Sequence, residues 1–151
     1  MGCVLLACCL GLSADDIPVL TVCEALIDLP RFDGKSVIIV GRMASTDEGS
    51  WISETCGKKI VWDKNEFDPT ISTSYVRDRV ASPPDKPVGF AWDESVLRQK
   101  LEQVKMTTKL RDSNDRWVAI FGRLETKQPG YGHLGGAPGQ LISRQDAYSL
   151  K

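Results

Sequence analysis

The chain has 151 residues, of which 42% are hydrophobic and 26% charged, a balance suited to one soluble domain with a single buried core. Nineteen basic and twenty acidic side chains leave a formal net charge of −1. That balance counts against a strongly electrostatic nucleic-acid binder, which carries a basic domain or stripe. No apolar run reaches the roughly 18 residues that a membrane span needs.

The first 14 residues differ in kind from the rest. Gly2 to Leu12 is apolar and cysteine-rich, and Ser13-Ala14 ahead of Asp15-Asp16 offers a small-residue cleavage site. The pattern predicts a secretory signal over residues 1–14 and one domain over 15–151, although the basic start of such a signal is missing. Leu5-Leu6-Ala7-Cys8 also resembles a lipobox, which nominates Cys8 for lipidation, with Cys9 a competitor. Cys3, Cys8 and Cys9 of the five cysteines fall in this segment, so the exported domain keeps Cys23 and Cys56. Two cysteines in an oxidising compartment predict a disulfide closing a loop of about 33 residues, which stabilises the fold by ~3–4 kcal/mol in the chain-entropy picture. There is no CxxC pair of the redox-catalyst kind.

Thr21-Val22-Cys23-Glu24 is a capping box and starts a short helix that Pro30 helps to end. Asp33-Gly34 is a turn, after which Ser36 to Val40 is an uninterrupted β-branched strand. Gly41 interrupts it, as does Gly122 in the matching run Val118-Ala119-Ile120-Phe121-Gly122-Arg123-Leu124. Such glycines suggest bulges or bends of a barrel wall. Aligning the two runs places Val37, Ile39 and Met43 with Val118, Ile120 and Leu124 on one face. Ile38, Val40 and Arg42 share the other with Ala119, Phe121 and Arg123. Trp51 to Thr55 and Lys59 to Trp62 read as the second and third strands of a meander. Asn65 to Trp92, with four prolines, reads as a long irregular connection in which Thr70 to Val76 is at most a short extra strand. Asp93 caps a helix to about Met106 whose apolar stripe is Val96, Leu97, Leu101 and Val104, placed to plug one barrel end. Trp92 and Leu97 are set for a hydrophobic staple. A glycine-rich loop follows the second Gly-Arg strand, and Gln140 to Leu150 supplies the last one.

Three strands, a helix and two strands is the order of the five-stranded OB-like Greek-key barrel, here mainly β with two helices. The segments Val22-Cys23-Glu24, Gly34-Lys35-Ser36-Val37, Gly41-Arg42, Cys56, Gly122-Arg123-Leu124 and Gly132-His133-Leu134 carry a resemblance to small exported bacterial proteins with an OB-like barrel. The resemblance implies a fold and an envelope or secreted location, and brings no activity with it.

Motif by motif, catalysis finds little support. Gly34-Lys35-Ser36 lacks the earlier P-loop glycine and precedes a strand instead of a helix. Gly130 to Gly135 matches GxGxxG, but Gly136, Pro138 and Gly139 prevent the helix a dinucleotide site requires. Asp63 to Asp68 lacks the glycine and the bidentate glutamate of a calcium loop. His133 is the only histidine, so no histidine cluster can hold a metal, and no nucleophile motif accompanies it. The candidate ligand-binding residues are Trp51 and Trp62 on the second and third strands, Tyr131 and His133 in the last loop, and Arg42 and Arg123 as an anion clamp. The expectation is a non-enzymatic, exported, monomeric binding module without cofactor or metal. Its partner would be an envelope protein, a peptide or an oligosaccharide. A single-stranded nucleic-acid binder and a small hydrolase using His133 are the alternatives.

Overall fold

The computed structural model describes residues 17–47, 49–57, 59–62, 64–67, 69–74, 84–126, 139–142 and 147–150. The signal segment with Cys8, the proposed cleavage site, and Tyr131 and His133 lie outside them. Among the described residues, nine strands and three helices run in the order β1 (Val19–Thr21), α1 (Val22–Ile27), α2 (Leu29–Phe32), β2 (Ser36–Thr46), β3 (Gly49–Ser53), β4 (Ile60–Trp62), β5 (Asn65–Phe67), β6 (Thr70–Ser74), α3 (Glu94–Thr107), β7 (Arg116–Thr126), β8 (Gly139–Ile142) and β9 (Ala147–Leu150). The protein is mainly β, with a strongly curled mixed sheet.

The long strands β2 and β7 form the spine, paired antiparallel from Ser36 opposite Arg123 to Met43 opposite Arg116. From β2 the pairing continues through β3, β6 and β8 and returns to β7, with β6 and β8 parallel. Strand β1 lies parallel to β2, and β9 pairs with β7 on its outer side. The short hairpin β4–β5 stands apart as its own two-stranded sheet.

Both faces of the spine are covered, which is why its sequence is apolar without alternation. On the inner face Val37, Ile39, Met43, Val118, Ile120 and Leu124 pack with Ile52, Ile71 and Leu141 and with Val22, Leu26, Leu29 and Phe32 of the first two helices. On the outer face Ile38, Val40, Ala119 and Phe121 receive Leu97, Leu101 and Val104 of α3. The two faces divide as the alignment of the Gly-Arg strands anticipates.

Four expectations need correction. First, α3 does not plug a barrel end: its apolar stripe lies on the outer face of β2 and β7, and α1 with α2 close over the inner core. Second, Lys59 to Trp62 is not the sheet's third strand. That place belongs to Thr70–Ser74, whose single inward apolar side chain, Ile71, is wholly buried opposite Ile52. Third, the register of β2 runs without interruption past Gly41, and that of β7 past Gly122, so neither glycine marks a bulge. Fourth, the single N-terminal helix is two short ones, and the last strand is two separate segments.

Local chemistry sets the element ends. The Thr21 hydroxyl accepts the Glu24 N–H at 3.3 Å and the Glu24 carboxylate accepts the Thr21 N–H at 2.8 Å, closing the capping box. Asp93 caps α3 by accepting the N–H groups of Ser95 and Val96. Gly34 takes a φ of 73°, the left-handed turn conformation expected after Asp33. No described helix is long and apolar enough to cross a membrane.

Candidate functional site

On the outer face of the sheet, Arg42 lies opposite Ser53, and Ser53 opposite Thr70, so three neighbouring strands present one polar row. Beyond this row the chain leaves β3 as Glu54-Thr55-Cys56-Gly57. Between the row, this loop and the turn after α3 lies a cleft of about 520 Å³, walled by Arg42, Glu54, Cys56, Lys59, Thr70 and Arg111 among others.

Arg42 is the structural post of the site. Its side chain is 8% exposed, and its guanidinium donates to the Lys109 carbonyl at 3.0 Å and the Ser53 hydroxyl at 2.9 Å and sets Nε 3.6 Å from the Asp115 carboxylate. Nε has no hydrogen-bond partner, because 3.6 Å is too long for one. Burial, followed by the like charge of Arg111, pulls its pKa below the usual arginine value. Asp115 in turn accepts the Arg111 N–H at 2.7 Å, so the fork ties β2, β3 and the loop before β7 together. The cationic groups facing the open cleft are Lys59 and Arg111, both on exposed residues.

Cys56 of the cleft wall belongs to the disulfide Cys23–Cys56, which joins α1 to the loop with the Cα atoms 5.7 Å apart. This is the bridge the sequence predicts. Glu54 is buried beside it, 6% exposed, and its carboxylate accepts the Cys23 N–H at 2.7 Å. Burial raises the Glu54 pKa above the ordinary carboxylate value, and the bonds from Cys23 and Thr21 offset only part of that effect. Glu24, on the same turn of α1, behaves oppositely. Burial pushes its pKa up too, but Lys100 of α3, in contact at 2.6 and 2.7 Å, together with the Thr21 N–H and Gln103 outweighs this, and the net shift is downward. Carboxylate and sulfur atoms of Cys23, Glu54 and Cys56 lie within 4.8 Å of one another. With both sulfurs in the bridge, Glu54 is the one member of that group with a ligand atom available.

Of the anticipated binding residues, Arg42 reaches the cleft but is committed to the fold. Arg123 lies elsewhere: it sits opposite Ser36 while Arg42 sits opposite Trp117, so about 20 Å of strand separates them. It pairs with Glu125 at 2.7 Å, and the two arginines form no clamp. Trp51 stands one row from the cleft on the same outer face, opposite Ala44 and Ser72, and is half-buried. Trp62 belongs to the separate hairpin, and its side chain falls outside the described residues, as do Tyr131 and His133. Glu54, Lys59 and Arg111 carry no motif of their own. The one signal for Glu54 was its place two residues before a cysteine due to meet a capped helix.

Comparison of the chain with protein-family models, with curated proteins and with solved structures finds no match in any of the three.

Proposed function

We propose that this protein is an exported, non-enzymatic binding module of OB-like topology that takes an extended acidic peptide segment in the cleft between β3, β6 and the turn after α3. The observation that carries the reading is the presence of exposed Lys59 and Arg111 on one cleft whose wall is held by a disulfide. Two exposed cationic residues on a braced frame suit carboxylate groups, and bracing lowers the ordering cost of binding.

The OB-like reading is supported by the pairing order. Numbering β2, β3, β6, β7 and β8 as strands one to five, the neighbours run one, two, three, five, four and back to one, and α3 falls between three and four. OB-folds bind ligands over strands two and three, and Ser53 and Thr70 of those strands line this cleft. Export is supported by the bridge, since disulfides persist in oxidising compartments.

Titration calorimetry at low salt with a glutamate- and aspartate-rich peptide tests this. Binding is expected, with affinity falling about tenfold or more in Lys59→Ala/Arg111→Ala, on the scale of two lost charge-assisted contacts. Binding that ignores the double substitution, or is seen only with an acidic oligosaccharide or oligo-dT, would remove the peptide reading.

A further inference from the structure

The disulfide beside the cleft has two features that a purely structural bridge does not require. Cys56 forms part of the cleft wall and Cys23 does not, so the cleft leads to the bridge from the Cys56 side, with both residues half-buried. A buried carboxyl, Glu54, lies within 4.8 Å of both sulfurs and accepts the N–H of Cys23, the cysteine set back from the cleft wall.

We propose that Cys23–Cys56 is a thiol–disulfide exchange site, entered through the cleft, with Cys56 the attacked sulfur and Glu54 the proton donor to Cys23. The co-reactant is a dithiol. Its thiolate attacks Cys56 Sγ along the open side, an S–S bond to the incoming sulfur forms, and the Cys56–Cys23 bond breaks. The electron pair leaves on Cys23 Sγ, which takes the proton of the Glu54 carboxyl, and Glu54 regains a proton from solvent. The second thiol of the donor then attacks the mixed disulfide and frees Cys56. In sum the dithiol is oxidised to a disulfide while Cys23 and Cys56 gain two electrons and two protons.

The surroundings keep Glu54 suited to this task. Glu24 faces it from α1 and opposes its ionisation; Lys100 of α3, paired with Glu24, pulls the other way, and burial still leaves the net shift upward. Arg42 of β2 is occupied by Asp115 and Ser53, and Lys59 and Arg111 lie on the cleft walls. A carboxyl that holds its proton above the usual carboxylate range can serve as an acid where an ordinary one has already ionised. Exchange uses the same cleft but needs no acidic peptide, so either proposal can fail alone.

Reduction of the full chain by dithiothreitol, followed by alkylation and mass spectrometry from about pH 5 to about pH 9, tests the assignment. Per reductant thiolate, the rate constant of the native protein should fall about tenfold or more as Glu54 ionises, and Glu54→Gln should be flat over that range. The glutamine keeps an acceptor for the Cys23 N–H, so a mere helix cap would change stability without changing the profile. A native profile that is already flat overturns the proton-donor role. Separately, brief treatment with glutathione should leave the mixed disulfide on Cys56 and alkylatable thiol on Cys23. The reverse mapping, or a native bridge reduced more slowly than a small-molecule disulfide at every pH, overturns the exchange site. That second measurement stands even where the glutamine variant does not fold.

Discussion

Gly41 and Ile52 are packed so closely that a Cβ at position 41 would lie 2.5 Å from Ile52 Cγ2. The same atom would meet Val22 Cγ2 at 3.0 Å and the Ser53 carbonyl at 3.2 Å. The glycine is there for space: it lets α1 close over the strand pair at the point where β3 crosses the inner core.

Gly41→Ala should therefore destabilise the protein by about 1–3 kcal/mol through overpacking, and Gly41→Val by more, since backbone as well as side chains must give way. Urea denaturation measures this. A neutral Gly41→Val would mean that α1 does not pack as described.

Where physical signals were local, the sequence was readable. The capping box at Thr21 and Glu24, the Asp93 cap, the stripe Leu97-Leu101-Val104 and the doubly apolar strands β2 and β7 all appear where their chemistry put them. The third sheet strand was not readable, because Thr70-Ile71-Ser72-Thr73-Ser74 has one apolar side chain, and its strand state comes from pairing with Ser50 to Ser53. The position of α3 was misjudged for a related reason. An amphipathic stripe shows that a helix is covered, not which face of a curled sheet covers it. Arg42 and Arg123 share a face, as alternation requires, but alternation is silent on distance along the strand.

Arg42 should be replaceable only at high cost. Arg42→Met leaves the Asp115 carboxylate buried with backbone N–H support alone, and a loss of about 3–5 kcal/mol is expected, as for other broken buried pairs. The double variant Arg42→Met/Asp115→Asn should lose less than the two single changes summed, because the orphan charge is gone. Additivity in a double-mutant cycle would show that the 3.6 Å contact carries no coupling.

Replacing both bridge cysteines by serine should lower stability by about 3–4 kcal/mol, the loop-closure value for a separation of 33 residues. The thermal midpoint of oxidised protein against the double variant checks it. An unchanged midpoint would mean that the loop Glu54 to Gly57 is held by its other bonds, such as the Thr55 N–H to the Thr108 hydroxyl at 2.8 Å.

Glu24 and Glu54 should give the stability profile two opposing slopes. Glu24, with its pKa depressed in the folded state, contributes stability that is present above the unfolded carboxylate value and lost as pH falls through the folded one. Glu54, with its pKa raised, does the reverse. The folded state holds its proton more tightly, so the stability this gives is full below the unfolded carboxylate value and is lost as pH rises through the folded one. Lys100→Met should then remove the acid-side loss and lower stability at neutral pH, because Glu24 keeps its burial without its partner. Glu54→Gln should remove the decline on the alkaline side of the carboxylate range, leaving the variant at least as stable as the native protein near pH 8. Denaturation midpoints measured across the acid-to-neutral range decide both. A glutamine variant that declines in parallel with the native protein would place the source of that slope elsewhere than Glu54, and with it the reservoir proton that the exchange reaction draws on.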